Sequence, residues 1–348
     1  MTAGDAIPVN VLTGFLGSGK TTYLQRVLSD PAFADTAVLV NEFGEVGLDH
    51  HLLKRVEGDV VLLKSGCICC TVREDLGTAI RDLHGQRGPG AVPAFRRLVI
   101  ETTGLADPVP ILSTVLADPV IRHHYRLGNV VTTVDAVNGA FHLDRQPESV
   151  RQAAVADRLI LTKTDIADPD AAARLRRRLG ALNPAAPIVE AADPAGDPAA
   201  AFSSDPYDPA TRNAEVRRWL ADAAAGEDDR DHHHGHRHGP IDRSRHGDDI
   251  GSFCLTFDRP VDWTLFGIWL SMLLHARGED ILRVKGLLDV PGVPAPVVIN
   301  GVQRVVHPPL HLDAWPDADR RSRIVFITRG IGRAEVEASL AAFLALDA

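Results

Sequence analysis

Apolar residues over the first 190 positions fall in short continuous runs, separated by polar turns and by stretches with helical spacing. Val9 to Leu12, Ala37 to Val40, Val60 to Leu63, Leu98 to Ile100, Val130 to Val134, Leu159 to Thr162 and Ile188 to Val189 read as strands. Several are unbroken Val/Ile/Leu runs, the pattern of strands covered on both faces in a mostly parallel sheet. Lys20 to Leu28, Arg73 to Leu83, Val150 to Ala156 and Ala171 to Leu179 read as helices. Strand and helix in alternation predict an open α/β sheet.

The pattern changes after Glu190. Pro194 to Pro209, rich in Pro, Asp, Ala and Ser, reads as a loop, and Ala210 to Ala225 as a helix. Glu227-Asp228-Asp229-Arg230-Asp231 and His232-His233-His234-Gly235-His236-Arg237-His238-Gly239 follow. Such a stretch buries no core and is expected to be a mobile linker. Periodicity resumes near Ile250. A strand (Ser252 to Phe257), a helix (Trp263 to His275), strands at Ile281 to Leu287 and Val297 to Ile299, a hairpin turn at Asn300-Gly301, a returning strand (Val302 to Val306), a strand (Arg323 to Thr328) and a terminal helix (Arg333 to Leu346) predict a small α+β domain. The expected division is 1–205, a linker over 206–249, and 250–348. No internal repeat is visible.

Composition narrows the partners. At 348 residues two domains are expected, and 45% hydrophobic with 24% charged residues excludes wholesale disorder. A formal charge of −9 argues against nucleic acid or an anionic membrane as the main partner, since both require a basic face. No apolar run approaches the ~20 residues of a membrane span. Met1 to Ala6 lacks the positive start of a secretion signal, so a cytoplasmic protein is expected.

The chemistry begins at Gly14-Phe15-Leu16-Gly17-Ser18-Gly19-Lys20-Thr21, which fits G-x-x-x-x-G-K-[ST] between a predicted strand and a predicted helix. Gly14, Gly17 and Gly19 let backbone N–H groups turn toward phosphate oxygens, and the helix N-terminus adds its positive end. Lys20 is expected to reach the β- and γ-phosphates and the Thr21 hydroxyl to bind Mg²⁺. Downstream, Thr162-Lys163-Thr164-Asp165 closes a predicted strand. An Asp165 carboxylate accepts from guanine N1–H and the 2-amino group, whereas adenine would leave it unpaired, so the site is expected to select GTP, with the Lys163 stem packed along the base. Glu101, directly after the predicted strand Leu98 to Ile100, is the expected acidic group toward Mg²⁺ and water, and Gly104 lets the backbone approach the γ-phosphate. Asn41-Glu42-Phe43-Gly44-Glu45 suits a switch segment, with Glu42 open between Mg²⁺, a second metal and solvent.

Cys67-Ile68-Cys69-Cys70 gathers three of the four cysteines. Cys67 and Cys69 can chelate one soft ion, with Cys70 a third ligand or a spectator; thiolates favour Zn²⁺ and Cu⁺ and, less strongly, Co²⁺ or Ni²⁺. The set is too small for a structural zinc knuckle and suits an open transfer site, with inert or redox-sensing thiols as the other readings. His232, His233, His234, His236, His238 and His246 are adaptive imidazole donors for borderline divalent ions, or simply part of a solvated linker. Cys254 reads as a core residue, the pairs His50-His51 and His123-His124 as surface, and Arg174 to Arg178 as a solvated helix face.

Together these features resemble the CobW-like family of P-loop GTPases, the metal-chaperone relatives of the hydrogenase and urease nickel accessory GTPases. The resemblance rests on GFLGSGKTT (Gly14 to Thr22), NEFGEVGLD (Asn41 to Asp49), SGCICCTVREDL (Ser65 to Leu76), ETTGLADP (Glu101 to Pro108), TKTD (Thr162 to Asp165) and the His-rich linker. It implies a P-loop GTPase domain with a mostly parallel sheet, and a CobW-like C-terminal domain. It also implies a GTP-hydrolysing metallochaperone that passes a divalent ion to a client metalloprotein. Carried over, Gly17 to Thr22 hold the nucleotide, including Ser18 and Thr22; Lys163 and Asp165 read the base; Cys67, Cys69 and Cys70 hold the cargo. Lys20, Thr21, Glu101 and Glu42 form the catalytic set. Zinc is the expected cargo, with cobalt for cobalamin or nitrile hydratase maturation as the alternative. A storage or sensing module with vestigial GTPase activity, and a P-loop kinase using ATP, are the rival classes.

Overall fold

The structure, a computed structural model, describes residues 6–41, 61–65, 72–87, 93–193, 200–203, 216 and 250–344. Two compact units are present, Met1–Leu175 with Ile188–Asp208, and Arg176–Pro187 with Pro209–Ala348.

In the first unit β1 (Ile7–Thr13), β2 (Thr36–Asn41), β3 (Val61–Ser65), β4 (Arg97–Glu101), β5 (Tyr125–Asp135), β6 (Arg158–Thr162) and β7 (Ile188–Glu190) form one sheet in the order β3-β2-β4-β1-β5-β6-β7. Every pairing is parallel. The chain moves outward from β1 to one side, inserts β4 beside it, then continues to the other side. β1 is therefore the switch point, where the crevice at the carboxyl edge of an open sheet holds ligands. Register sharpens this: Leu12 lies beside Glu101, Thr13 beside Thr132, and Asp135 beside Thr162. Four loops thus leave neighbouring strand ends on one edge.

The helices up to Ser203 are α1 (Lys20–Leu28), α2 (Val72–Arg87), α3 (Val109–Ala117), α4 (Pro119–His124), α5 (Gly139–Arg145), α6 (Pro147–Val155), α7 (Pro169–Leu182), within which the first unit ends at Leu175, and the single turn α8 (Ala200–Ser203). Leu24 and Val27 of α1 pack with Leu12, Val99, Val131 and Ile160 of the four central strands, so α1 is anchored under the loop that precedes it. The strands and the four helices expected before Glu190 are present, and the helix expected from Ala210 to Ala225 lies outside the described residues except at Val216. The strand expected over Val60 to Leu63 is described over Val61–Ser65, with Val60 outside the described residues, and the loop expected from Pro194 contains α8. Helices α3 to α5 were not expected. Val109–Ala117 is almost wholly apolar and offers no polar face to mark a helical period, and the other two span only six and seven residues. Arg174, Arg176, Arg177 and Arg178 lie exposed along α7, as expected. Among the described residues no helix is long and apolar enough to cross a membrane.

The second unit holds β8 (Ile250–Phe257), α9 (Trp263–Arg277), β9 (Ile281–Leu288), β10 (Val297–Val302), β11 (Val305–Val306), β12 (Leu310–His311), β13 (Ser322–Arg329) and α10 (Arg333–Leu344). The sheet is antiparallel in the order β11-β10-β9-β13-β8, with β12 also on β10. Phe266, Trp269 and Leu270 of α9 and Val336 and Leu340 of α10 close one face over Leu255, Val284, Ile324 and Phe326. Asp262 caps α9 by accepting from the Leu265 N–H at 2.9 Å. The hairpin turn is not at Asn300-Gly301. Both residues stay paired with β9, Asn300 with Lys285 and Gly301 with Val284, and the turn falls on Gln303 and Arg304, with Gln303 at φ 51°. Continued pairing along an eight-residue neighbour outweighs the local turn preference.

Candidate nucleotide and metal site

The loop after β1 is shaped by its glycines. Gly14 sits at φ 141°, and a Cβ there would overlap the carbonyl and hydroxyl oxygens of Thr133 and lie 2.7 Å from Ser18 Oγ. Only glycine fits, and the backbone passes directly over the end of β5. Gly19, at φ 86°, precedes α1 and supplies no side-chain cap, so the first N–H groups of α1 face the loop interior. Lys20 Nζ donates to Gly14 O at 2.9 Å and Phe15 O at 3.2 Å, which lays the ammonium across the loop. Ser18 Oγ and Thr133 Oγ1 share a hydrogen bond of 2.7 Å, and the Thr162 hydroxyl donates to Ser18 O at 2.8 Å. Thr22 is exposed in the first turn of α1. A glycine-lined loop that admits no Cβ at Gly14 and is crossed by one ammonium, at the N-terminus of a helix, fits a polyphosphate.

Glu101 ends β4 beside this loop. It is 4% exposed, and its Oε1 accepts from the Thr21 hydroxyl at 2.6 Å. Two hard oxygen groups side by side at the phosphate edge fit Mg²⁺, with Thr21 and Glu101 as the residues that would hold it. Beyond Glu101 the chain runs close under the phosphate loop: a Cβ on Gly104 would lie 2.6 Å from Leu16 N and 2.7 Å from its Cα. Gln152, buried on α6, fixes this segment by donating from Nε2 to Gly104 O at 3.1 Å and Ala106 O at 3.0 Å. Sequence reasoning did not find Gln152, and no local motif marks it.

The third loop follows β6. Lys163 has φ 59°, in the left-handed region, and its Nζ donates to Asp135 Oδ2 at 2.7 Å. Asp165 is exposed in the following turn, in which the N–H groups of Ile166 and Ala167 both donate to Lys163 O. Asp135, missed from sequence, is buried at the end of β5. Burial pushes its carboxyl up. Hydrogen bonds from the Lys163 ammonium, the Asn138 amide and the backbone N–H groups of Asn138 and Val137 outweigh this, so it lies below the usual range. The signal available was an Asp closing an apolar run at the same sheet edge.

Glu42, the three thiols Cys67, Cys69 and Cys70, and the histidines His232, His233, His234, His236, His238 and His246 lie outside the described residues, as do His50 and His51. What is described is where two of these segments depart. Val40 pairs with Glu101, and Asn41 pairs with Ser65, so the chains leading to Glu42 and to Cys67 leave strand ends next to the phosphate edge. Cys254 is half-buried against a core of Leu287, Val298 and Val325, as expected. His123 is exposed, but His124 is not a plain surface residue: it stacks on His84 with ring centroids 4.1 Å apart, and His84 Nδ1 lies 3.3 Å from the Tyr125 hydroxyl. Burial, and then the neighbouring His124 and Arg87, hold His84 below the usual histidine range. Among the described residues no group of three or more His, Cys, Asp or Glu is placed to hold a metal ion.

The model of the CobW/HypB/UreG nucleotide-binding domain matches residues 8–190, and that of the cobalamin synthesis protein CobW C-terminal domain matches residues 250–344. The chain is 32% identical over 337 residues to the zinc chaperone YjiA of Escherichia coli, covering 97% of this chain and 98% of that one. It is 30% identical over 377 residues to the zinc chaperone CobW of Pseudomonas aeruginosa, covering 97% and 92%. The crystal structure of Zn(II)-bound YjiA GTPase from E. coli superposes with a TM-score of 0.67 at 28% identity, covering 97% of this chain and 99% of that one.

Proposed function

The chain belongs to the CobW/HypB/UreG family of P-loop GTPases and is itself a GTPase, and on that premise we propose that it uses GTP to load and release zinc for a client metalloprotein. The observation that carries the coupling is the strand register. Val40 beside Glu101 and Asn41 beside Ser65 tie the starts of the Glu42 and Cys67 segments to the strand that senses the phosphates.

In this reading the loop from Gly14 to Thr22 holds the phosphates through backbone N–H groups, and Lys20 turns from the loop carbonyls onto the β- and γ-phosphates. Thr21 and Glu101 would hold Mg²⁺, which would offset the charge of the phosphates. Gly104, held by Gln152, offers its backbone to the γ-phosphate. GTP orders the Glu42 and Cys67 segments and brings Cys67, Cys69 and Cys70 together around zinc, with Glu42 as a nearby carboxylate. Hydrolysis removes the γ-phosphate contacts, and the thiol segment loosens and gives up the ion. His232 to His238 act as weak auxiliary donors. Residues 1–205 form the GTPase domain, 206–249 the linker and 250–348 a lobe that receives the client. The names of the relatives favour zinc over cobalt.

The nucleotide half is tested at Asp165. Asp165→Asn should lower the preference for GTP over ATP by about 10- to 100-fold, because charged hydrogen bonds to guanine N1–H and the 2-amino group contribute about 1.5–3 kcal/mol. Competition titration against a fluorescent guanine nucleotide reads the ratio. A variant that still prefers GTP as strongly as the parent would remove Asp165 from the base site.

A further inference from the structure

We propose that Asp135 is a positioning residue for guanine recognition, holding the Lys163 ammonium so that the neighbouring Asp165 carboxylate stays open to the base. The inference rests on the reading of Asp165 as the base reader.

Lys163 and Asp165 are two residues apart in one tight turn. A free ammonium there would pair with the nearest carboxylate and mask the acceptor that guanine N1–H and the 2-amino group need. The structure holds a competing acceptor in place. Asp135 Oδ1 accepts from the backbone N–H groups of Val137 at 2.8 Å and Asn138 at 3.1 Å. Its Oδ2 accepts from Asn138 Nδ2 at 3.1 Å and Lys163 Nζ at 2.7 Å. Three of these four contacts do not involve Lys163, so the carboxylate is oriented before the lysine arrives. The Asp135 side chain is 2% exposed and that of Lys163 37%, while Asp165 is exposed. An ion pair with one partner withdrawn from water is screened less than a pair in solvent, which favours Asp135 over Asp165 as the partner.

Geometry on the backbone side agrees. Asp135 lies in register with Thr162, the residue before Lys163, and the Thr162 hydroxyl is bound to Ser18 O of the phosphate loop. Lys163 adopts φ 59°, an unusual conformation for a non-glycine residue, and its ammonium meets Asp135. The hydrogen bonds that lower the Asp135 carboxyl keep it charged through the neutral range. The buried carboxylate therefore links the base turn to the start of α5, one residue along from the Thr162 contact with the phosphate loop.

The test uses the full chain and four nucleotides, GDP, IDP, XDP and ADP, in competition titrations. IDP keeps N1–H and lacks the 2-amino group, so the GDP-over-IDP ratio reports the 2-amino half of the Asp165 contact. Asp135→Asn keeps the shape and an acceptor for the two backbone N–H groups but gives up the charge. The expected result is a GDP-over-IDP ratio reduced about fivefold or more, with ADP affinity unchanged and the circular-dichroism melt still cooperative. In a Lys163→Met background, where no ammonium remains to mask Asp165, Asp135→Asn should leave the ratio unaltered. A ratio unchanged by Asp135→Asn, or one that falls equally in both backgrounds as a merely structural role would give, overturns the proposal. Should Asp135→Asn not fold, Lys163→Met alone decides: overall affinity falls, and the ratio stays within about twofold of the parent if the lysine matters only by masking. A falling ratio overturns the proposal. Failure of the underlying reading looks different, since Asp165→Asn would then leave the parental ratio untouched.

Discussion

Gly14→Ala is expected to weaken GDP and GTP binding by at least about 100-fold while the second unit keeps its own melt. The reason is local and steric. The new Cβ would overlap the Thr133 carbonyl oxygen, which belongs to the central strand β5 and cannot step aside cheaply, as well as the Thr133 hydroxyl. It would also require a non-glycine residue at φ 141°. Overpacking of this kind costs about 1–3 kcal/mol and a strained backbone a further 1–3 kcal/mol or so. Relief comes from moving the loop, which separates the N–H groups that cradle phosphate, so the cost falls on binding at about tenfold per 1.4 kcal/mol. Titration with a fluorescent GDP and a thermal melt check both parts. Binding within threefold of the parent would mean that the loop does not need this path over β5.

The second large effect is on turnover. Glu101→Gln should lower the rate of GTP hydrolysis at saturating GTP by about 100- to 1000-fold, with GDP affinity changed only a few-fold, the scale expected when a preorganised charge at the reacting phosphate is removed. The amide oxygen still accepts from Thr21 Oγ1, so the corner closed by the 2.6 Å hydrogen bond survives. What disappears is the negative charge that would hold Mg²⁺ beside the phosphates. Phosphate release under multiple-turnover conditions measures the loss. A rate within threefold of the parent would reduce Glu101 to a structural acceptor for Thr21.

The parts of this site that could be read from sequence are those in which one short segment carries its own chemistry. Gly14 to Thr21 needs glycines where the backbone turns, and Thr162 to Asp165 closes a strand with a lysine and a carboxylate at fixed spacing. Asp135 and Gln152 were hidden for a common reason. Their roles arise from pairing across the sheet and from a helix packed under another loop: Asp135 beside Thr162, and Gln152 under Gly104 and Ala106. The strands were legible because burial on both faces leaves continuous apolar runs. Val109–Ala117 was hidden by the same apolar character, which erases the period that marks a helix. Asn300-Gly301 misled because its turn preference is local, whereas pairing with Lys285 and Val284 carries the strand past it.

The central claim is that nucleotide and metal are coupled through the edge where β2, β3 and β4 end side by side. Zinc affinity of the full chain, by chelator competition with and without Mg²⁺ and a non-hydrolysable GTP analogue, tests it most directly. Zinc should bind about tenfold or more tightly with the nucleotide, a coupling of about 1.4 kcal/mol, and Cys67→Ser should lose that difference. Equal zinc affinity in the two conditions would contradict it.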